Sequence, residues 1–381
     1  MASDPNAIVG RAVKLAIERD GEVGLQVAAT LDGELRVDVW GGRADETSGR
    51  EVDGDTVFPV FSVTKAVTAV ALHIQAERGL VDYEQPVARY WPEFAAHGKQ
   101  SGTVHDALTH RIGVPQMPLG VTPELMCDWD WMIERIAAMR PLFEPGKKSA
   151  YHALSFGWII GEIVRRTDPE QRPFGTFVRD EICAPLAIDD LWLGIPDAVE
   201  PRVARLIDAP APPPGEPGLP PDSIFPLAIP PQVDTSQEVF GRADVRRACI
   251  PGGGGIMNAR SEARFFSLLA NGGELDGVRL LSEERVRRFS VPRSPCDYDL
   301  VLGVPHPGTL GGFWLAGSPS TAPMGGAPRA FGHPGAGGAL GWADPDARLA
   351  VAITHNRMFN APSAEANPLT AIGRAVREAL G

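Results

Sequence analysis

Ser62 and Lys65 stand three residues apart in FSVTKAVTAVALH, residues 61 to 73. Lys65 is the only formally charged residue between Thr56 and Ala76, in a run of valine, alanine, phenylalanine, leucine and isoleucine. Residues three apart on a helix are neighbours, so a helix beginning near Ser62 brings a hydroxyl and an amine together. Two chemistries fit that pairing. In one, the serine caps the helix and the lysine reaches along the surface to water. In the other, the lysine is desolvated, its pKa falls, and it serves as a base beside the serine nucleophile. The helix N-terminus then favours negative charge developing at the hydroxyl. Apolar residues at 63, 66, 67, 70, 71 and 74 make a stripe, and the helix is apolar nearly all round until His73. Such a helix is central, which leaves Lys65 little water and supports the second chemistry.

The elements expected to hold this pair lie at both ends of the chain. MASDPNAIVGRAVKLAIERD reads as an amphipathic helix with Ile8, Ala12, Leu15 and Ala16 on one face. Leu35, Val37 and Val39 then alternate with Glu34, Arg36 and Asp38, and Asp32-Gly33 marks a two-residue hairpin turn. Near the C-terminus, RAFGHPGAGGALGWADPDARLAVAITHN holds two or three strands with a turn at Asp344-Pro345-Asp346, and PLTAIGRAVREALG is helical. Between the ends the spacing predicts helices over 62–78, 104–110, 128–139, 154–166, 173–183 and 260–271. Residues 209 to 231 are proline-rich and read as a connector. Terminal strands and intervening helices imply an α/β (α+β) fold: one antiparallel sheet of N- and C-terminal strands flanked by helices. The expected domains are a discontinuous unit of 1–85 and 245–381 and a mainly helical insertion over 86–244.

The 381 residues carry 36 basic and 48 acidic side chains, a formal net charge of -12. That balance argues against nucleic acid or an anionic membrane as partner. No uncharged apolar run is suited to a membrane span, and the first twenty residues lack the apolar stretch of a signal peptide. Cys127, Cys183, Cys249 and Cys296 are scattered without a CxxC pair and read as reduced thiols of a cytoplasmic protein. His105 and His110 do not share a helix face, so no metal site is expected.

Five blocks in order resemble the serine β-lactamase-fold enzymes: class C β-lactamases, family VIII carboxylesterases, D-amino-acid peptidases and lovastatin-type acyltransferases. They are FPVFSVTKAVTAVALHIQAERGLVDYEQPVARYWPEF (58–94), ALTHRIGVP (107–115), FEPGKKSAYHALSFGWIIGEIVRRT (143–167), PGGGGIMNARSEARFFSLLANGG (251–273) and FGHPGAGG (331–338). The resemblance implies the β-lactamase/transpeptidase-like fold, Ser62 as nucleophile, Lys65 as its partner, and Tyr151 as the phenol that shares the proton work. It implies an oxyanion hole from the backbone N–H groups of Ser62 and Ala336, and no cofactor. Gly335, Gly337 and Gly338 let strand backbone approach a ligand.

Two departures narrow the substrate. Tyr151-His152-Ala153 replaces Tyr-x-Asn, and His333-Pro334-Gly335 replaces Lys-Thr-Gly. The amide for a lactam side chain and the fixed cation for a carboxylate are both gone. His333 and Gly335 are expected at the substrate, and Trp129 and Trp131 of CDWDW are candidates for an apolar acyl chain. The expected activity is hydrolysis of small carboxylic esters, a small-molecule partner. An acyltransferase and a non-catalytic binding scaffold are the alternatives, and the sequence does not set the oligomeric state. ALSFG (153–157) is one residue from the G-x-S-x-G elbow of α/β-hydrolases, but Ser155 is expected to be structural.

Overall fold

The computed structural model describes residues 4–210, 223–293, 298–359 and 363–381. Its strands, in chain order, are β1 (Gly24–Leu31), β2 (Glu34–Asp45), β3 (Arg50–Glu51), β4 (Phe58–Phe61), β5 (Leu191–Leu193), β6 (Gly255–Met257), β7 (Glu274–Leu275), β8 (Val278–Arg279), β9 (Trp314–Leu315), β10 (Phe331–Pro334), β11 (Leu340–Asp344) and β12 (Leu349–His355). A seven-stranded sheet has the order β3-β2-β1-β12-β11-β10-β9. The expected joining of the two chain ends occurs at its centre. β1 and β12 run antiparallel from Leu25↔His355 to Leu31↔Leu349. The hairpin turn is formed by Asp32 (φ 53°) and Gly33 (φ 87°), the two positive φ values that match strand twist.

The sheet's two faces are sorted by side-chain size. On one, Val27, Ala29, Leu340, Trp342, Val351 and Ile353 pack against the N-terminal Pro5–Arg19 helix and the C-terminal Thr370–Leu380 helix. The buried stripe of the first helix is Val9, Val13 and Ala16, one step round from the expected face. Leu15 stays 42% exposed. The sequence offers two overlapping apolar stripes there, and packing on the sheet selects the one that reaches Val27 and Val351. On the other face, small residues Ala28, Ala352 and Gly341 let the Ala259–Ala270 helix approach closely. Buried Gln26 donates from Nε2 to the carbonyls of Asp53 and Thr56 and accepts at Oε1 from the Ala259 N–H.

A three-stranded sheet of order β4-β6-β5 carries the turn that leads into the Thr64–Glu77 helix. This helix is buried from Thr64 to Ala76 and is the centre of the molecule. It packs on the Ser155–Thr167 helix, whose buried face includes Trp158, Ile159 and Ile163. The Phe174–Val178 helix continues into a π-helical turn over Arg179–Cys183. Residues 86–244, where a helical insertion is expected, hold mostly helices but also β5, which pairs with β6. Residues 211–222, most of the expected proline-rich connector, lie outside the described residues, as does Cys296. Cys127, Cys183 and Cys249 are free thiols. Among the described residues no helix is long and apolar enough to cross a membrane.

Candidate active site

Ser62 lies between the end of β4 and the Thr64–Glu77 helix. The turn is made by Phe61, whose φ of 46° is left-handed backbone on a bulky residue. Such a conformation costs about 1–3 kcal/mol and persists only where the surroundings impose it. Here the Phe61 ring packs edge-on against Phe240 at 5.2 Å, and the Thr64 hydroxyl donates to the Phe61 carbonyl. The helix cap is Val63, with no side-chain cap bond. The capping role open to Ser62 in the sequence is therefore not the one it takes.

Lys65 is fully buried. Its Nζ stands 2.8 Å from Ser62 Oγ, 2.6 Å from the Ala153 carbonyl oxygen and 2.6 Å from the Gly252 carbonyl oxygen. Carbonyls only accept, so two N–H groups of Lys65 are committed to Ala153 and Gly252. The remaining direction points at the serine oxygen. Burial pushes the lysine pKa well below its ordinary value. A neutral amine in this setting keeps both carbonyl bonds and turns its lone pair on the Ser62 hydroxyl.

The glycine-rich turn at 251–255 has a physical reason. Thr68 Oγ1 donates to the Pro251 carbonyl, Lys65 to Gly252, and the Gly255 N–H donates to Thr64 Oγ1. A Cβ on Gly252 would sit 2.2 Å from the Leu154 carbonyl oxygen, and one on Gly157 would sit 2.0 Å from the Gly252 nitrogen. The turn is thus clamped between the two central helices, and its Gly252 carbonyl reaches the lysine.

Tyr151 brings its phenol near enough to the Ser62 hydroxyl for that hydroxyl to favour the ionised phenol. Its ring centre lies 4.9 Å from Lys65 Nζ. Burial raises the phenol pKa above its ordinary value, and the nearby Ser62 hydroxyl opposes that shift only in part. The Tyr151 backbone is fixed by Asp299, a buried carboxylate the sequence reading did not single out. Asp299 accepts from the Tyr151 N–H at 2.8 Å, the Val301 N–H at 3.0 Å and the Ser149 hydroxyl at 2.8 Å. His110, from the 107–115 block, supports the same segment. Its carbonyl accepts from Ala150 N–H, and its Nδ1 accepts from His152 N–H at 3.1 Å. His152 is itself spent on backbone: Nδ1 pairs with the Ala150 carbonyl at 2.7 Å, and Nε2 accepts from Val114 N–H at 3.2 Å. Burial holds its pKa near about 3, so the imidazole is neutral.

β10 ends beside the nucleophile. A Cβ on Gly335 would sit 2.3 Å from the Val60 carbonyl oxygen, so only glycine allows this approach. Ala336 follows at the start of a short turn. Among the described residues neither the Ser62 N–H nor the Ala336 N–H has an acceptor. Two N–H groups without an acceptor, one on Ser62 and one next to the glycine that meets Val60, are of the kind that suits a developing oxyanion. His333 is buried on the same strand, its ring centre 6.3 Å from that of Tyr151 and 5.9 Å from that of Trp314.

The two tryptophans of CDWDW are not brought here. Trp129 donates from Nε1 to Glu162 at 3.0 Å and stacks on Phe174 at 6.1 Å, within the helical region. Trp131 lies beside Arg135 at 5.7 Å. Both sit on the Trp129–Ala138 helix, against the flank of the Ser155–Thr167 helix rather than its start. The apolar residues that adjoin Tyr151 are instead Phe143, Val301 and Trp314, with Phe225, Leu300 and Leu302 packed on them. No periodic or compositional signal marks these in the sequence, because they come from four separated segments, around 143, 225, 300–302 and 314. Trp342 is core, and Ser155 donates to the Val114 carbonyl at 2.9 Å. A cavity of about 510 Å³ near Asp32, Asn271, Arg279 and Arg348 lies at the opposite end of the sheet and holds no nucleophile–base pair.

The sequence model of the beta-lactamase family matches residues 10–374. Esterase/beta-lactamase LipL of Mycobacterium tuberculosis is 38% identical over 360 residues, covering 88% of this chain and 77% of that protein. The structure of a family VIII carboxylesterase superposes with a TM-score of 0.86 at 30% identity, covering 98% of each chain. A penicillin-binding protein homologue from Caulobacter crescentus superposes with a TM-score of 0.87 at 34% identity, covering 100% of this chain and 99% of its own. The chain belongs to the beta-lactamase family.

Proposed function

We propose that this member of the beta-lactamase family is a serine hydrolase of small, uncharged carboxylic esters, working through an acyl-enzyme on Ser62. The observation that carries the proposal is the arrangement at Lys65. Two carbonyls take its N–H groups and leave its third direction on a serine hydroxyl, in a place too dry for an ammonium to be comfortable. The names of LipL and of the family VIII carboxylesterase structure support an esterase reading.

In the proposed mechanism, Ser62 Oγ attacks the ester carbonyl while its proton passes to the Lys65–Tyr151 pair. The tetrahedral oxyanion is held by the N–H groups of Ser62 and Ala336, each donor worth roughly 3 kcal/mol in such sites. The leaving alkoxide takes a proton from the Tyr151 phenol, which burial keeps in its protonated form. Water then adds to the acyl group and releases acid and free Ser62. No residue of the described site is a fixed cation aimed at a substrate carboxylate, since burial holds His333 well below the pKa at which it would charge. That favours neutral esters over penicillins.

The test is hydrolysis of p-nitrophenyl esters of graded chain length by the wild type and Ser62→Ala, with mass mapping of a covalent serine probe. Label on Ser62 and loss of turnover in the folded variant are expected. Turnover by folded Ser62→Ala, or label elsewhere in active protein, overturns the proposal. Product analysis with added alcohol separates hydrolysis, which yields free acid, from transfer, which yields a new ester.

A further inference from the structure

Resting on that reading, we infer that the leaving-group side of the site recognises an alcohol carrying a second, free hydroxyl, so that the preferred substrates are neutral monoesters of diols or polyols. The argument begins with the tautomer of His333. Its Nδ1 lies 2.8 Å from the Pro334 carbonyl oxygen. A carbonyl only accepts, so Nδ1 carries the proton of the neutral ring, and Nε2 presents a lone pair. Among the described residues that Nε2 has no partner, although the side chain is fully buried. An unpaired buried acceptor costs about 1–3 kcal/mol, which a bound donor restores.

Trp314 supplies the complement. Its Nε1, a donor only, is also buried and without a partner among the described residues. The two rings lie 5.9 Å apart, centre to centre, and both face Tyr151, at 6.3 Å for His333 and 5.8 Å for Trp314. One open acceptor and one open donor beside Tyr151, in a wall that also holds the His306 ring edge-on to Trp314 at 4.5 Å and the His110 ring 4.7 Å from Tyr151, match a hydroxyl, which gives one hydrogen and takes one. A carboxylate does not match, because it meets a lone pair with a lone pair. A methyl group does not match either, because it leaves both atoms unpaired. Tyr151 fixes the side of the substrate concerned: its phenol serves the departing alcohol, so the groups beside its ring face that alcohol rather than the acyl chain.

Sites built to hydrogen-bond a substrate hydroxyl reject the analogue that lacks it far better than apolar pockets reject a methylene. Three butyrate esters of nearly equal size test this: 2-hydroxyethyl butyrate, propyl butyrate and carboxymethyl butyrate, with butyrate release measured for each. In the wild type kcat/KM for the hydroxyethyl ester should exceed that for the propyl ester at least ~10-fold, with the carboxymethyl ester slowest. His333→Phe keeps a flat ring but no acceptor, and should bring the hydroxyethyl and propyl values within about twofold; Trp314→Phe should shrink the ratio as well. A wild-type ratio near one, or a large ratio that survives in His333→Phe, overturns the inference, and the wild-type ratio decides alone if the variants do not fold. Ser62-dependent release with a flat ratio sinks only this inference. Release by Ser62→Ala, or no release from any ester by the wild type, sinks the hydrolase reading beneath it.

Discussion

Gly335 stands so close to the Val60 carbonyl oxygen that one added carbon would lie 2.3 Å from it. This contact joins the end of β10 to the turn that carries Ser62, and it sets where the Ala336 N–H falls. In the proposed mechanism the oxyanion pocket thus depends on a missing side chain in one sheet meeting the last residues of a strand in another.

Gly335→Ala should therefore lose activity with little loss of secondary structure. Pushing β10 back removes one oxyanion donor, and kcat for p-nitrophenyl butyrate should fall ~10²–10³-fold. Circular dichroism together with steady-state kinetics checks this. An alanine variant with wild-type kcat would show that the strand end plays no part.

Lys65 is predicted to act as the neutral amine. Its pKa is depressed by burial, so kcat/KM should rise with pH through a limb lying well below the ordinary lysine value. Below that limb the amine is protonated, and the serine has lost its acceptor. Lys65→Arg, which keeps charge but cannot shed its proton, should cost at least ~10²-fold and abolish the limb. A pH profile that persists unchanged in the arginine variant would contradict the role.

Ser155 provides the control for the second serine motif. Its hydroxyl is spent on the Val114 carbonyl at 2.9 Å. Ser155→Ala should leave probe labelling of Ser62 intact and lower stability by about 1–2 kcal/mol, read by urea denaturation. Loss of labelling with stability unchanged would point back to the 153–157 elbow.

Glu262 is predicted to be a buried neutral acid. It is fully buried on the Ala259–Ala270 helix, neither carboxyl oxygen has a partner among the described residues, and burial raises its pKa well above the usual carboxylate value. In the unfolded chain this glutamate ionises near its ordinary pKa, while the folded chain keeps the proton. Its contribution to stability is therefore full at acid pH and declines as pH rises towards the folded pKa. Glu262→Gln removes that loss. The Tm of the variant relative to wild type should climb between pH 5 and pH 8, by about 2 °C or more. A difference that does not change with pH would mean that the carboxyl is ionised or paired in the folded protein.

Much of this site was legible before the fold. Ser62 and Lys65 were marked by a single charge in an apolar helix, a local pattern that spacing alone reports. Tyr151, Gly335 and Ala336 were reached through the order of five similar blocks. Asp299, the Gly252 acceptor and the wall of Phe225, Leu300, Leu302 and Trp314 were not. Each is an ordinary residue in its own segment and gains meaning only from what lies across from it. Trp129 of CDWDW shows the same limit: a large ring signals packing, and here it packs against Glu162 and Phe174.

The sequence by itself determined the strands that close the chain on itself, the central helix and the serine–lysine neighbourhood, because periodicity and i, i+3 spacing are properties of a few consecutive residues. The tertiary structure alone decided that Lys65 has two carbonyls and one hydroxyl around it. It alone left His333 with its lone pair open and brought Gly335 against the Val60 carbonyl. Those outcomes depend on contacts between residues far apart in the chain, 88 and 187 positions for the two carbonyls on Lys65, and burial sets the charge state of each group only once such contacts have closed.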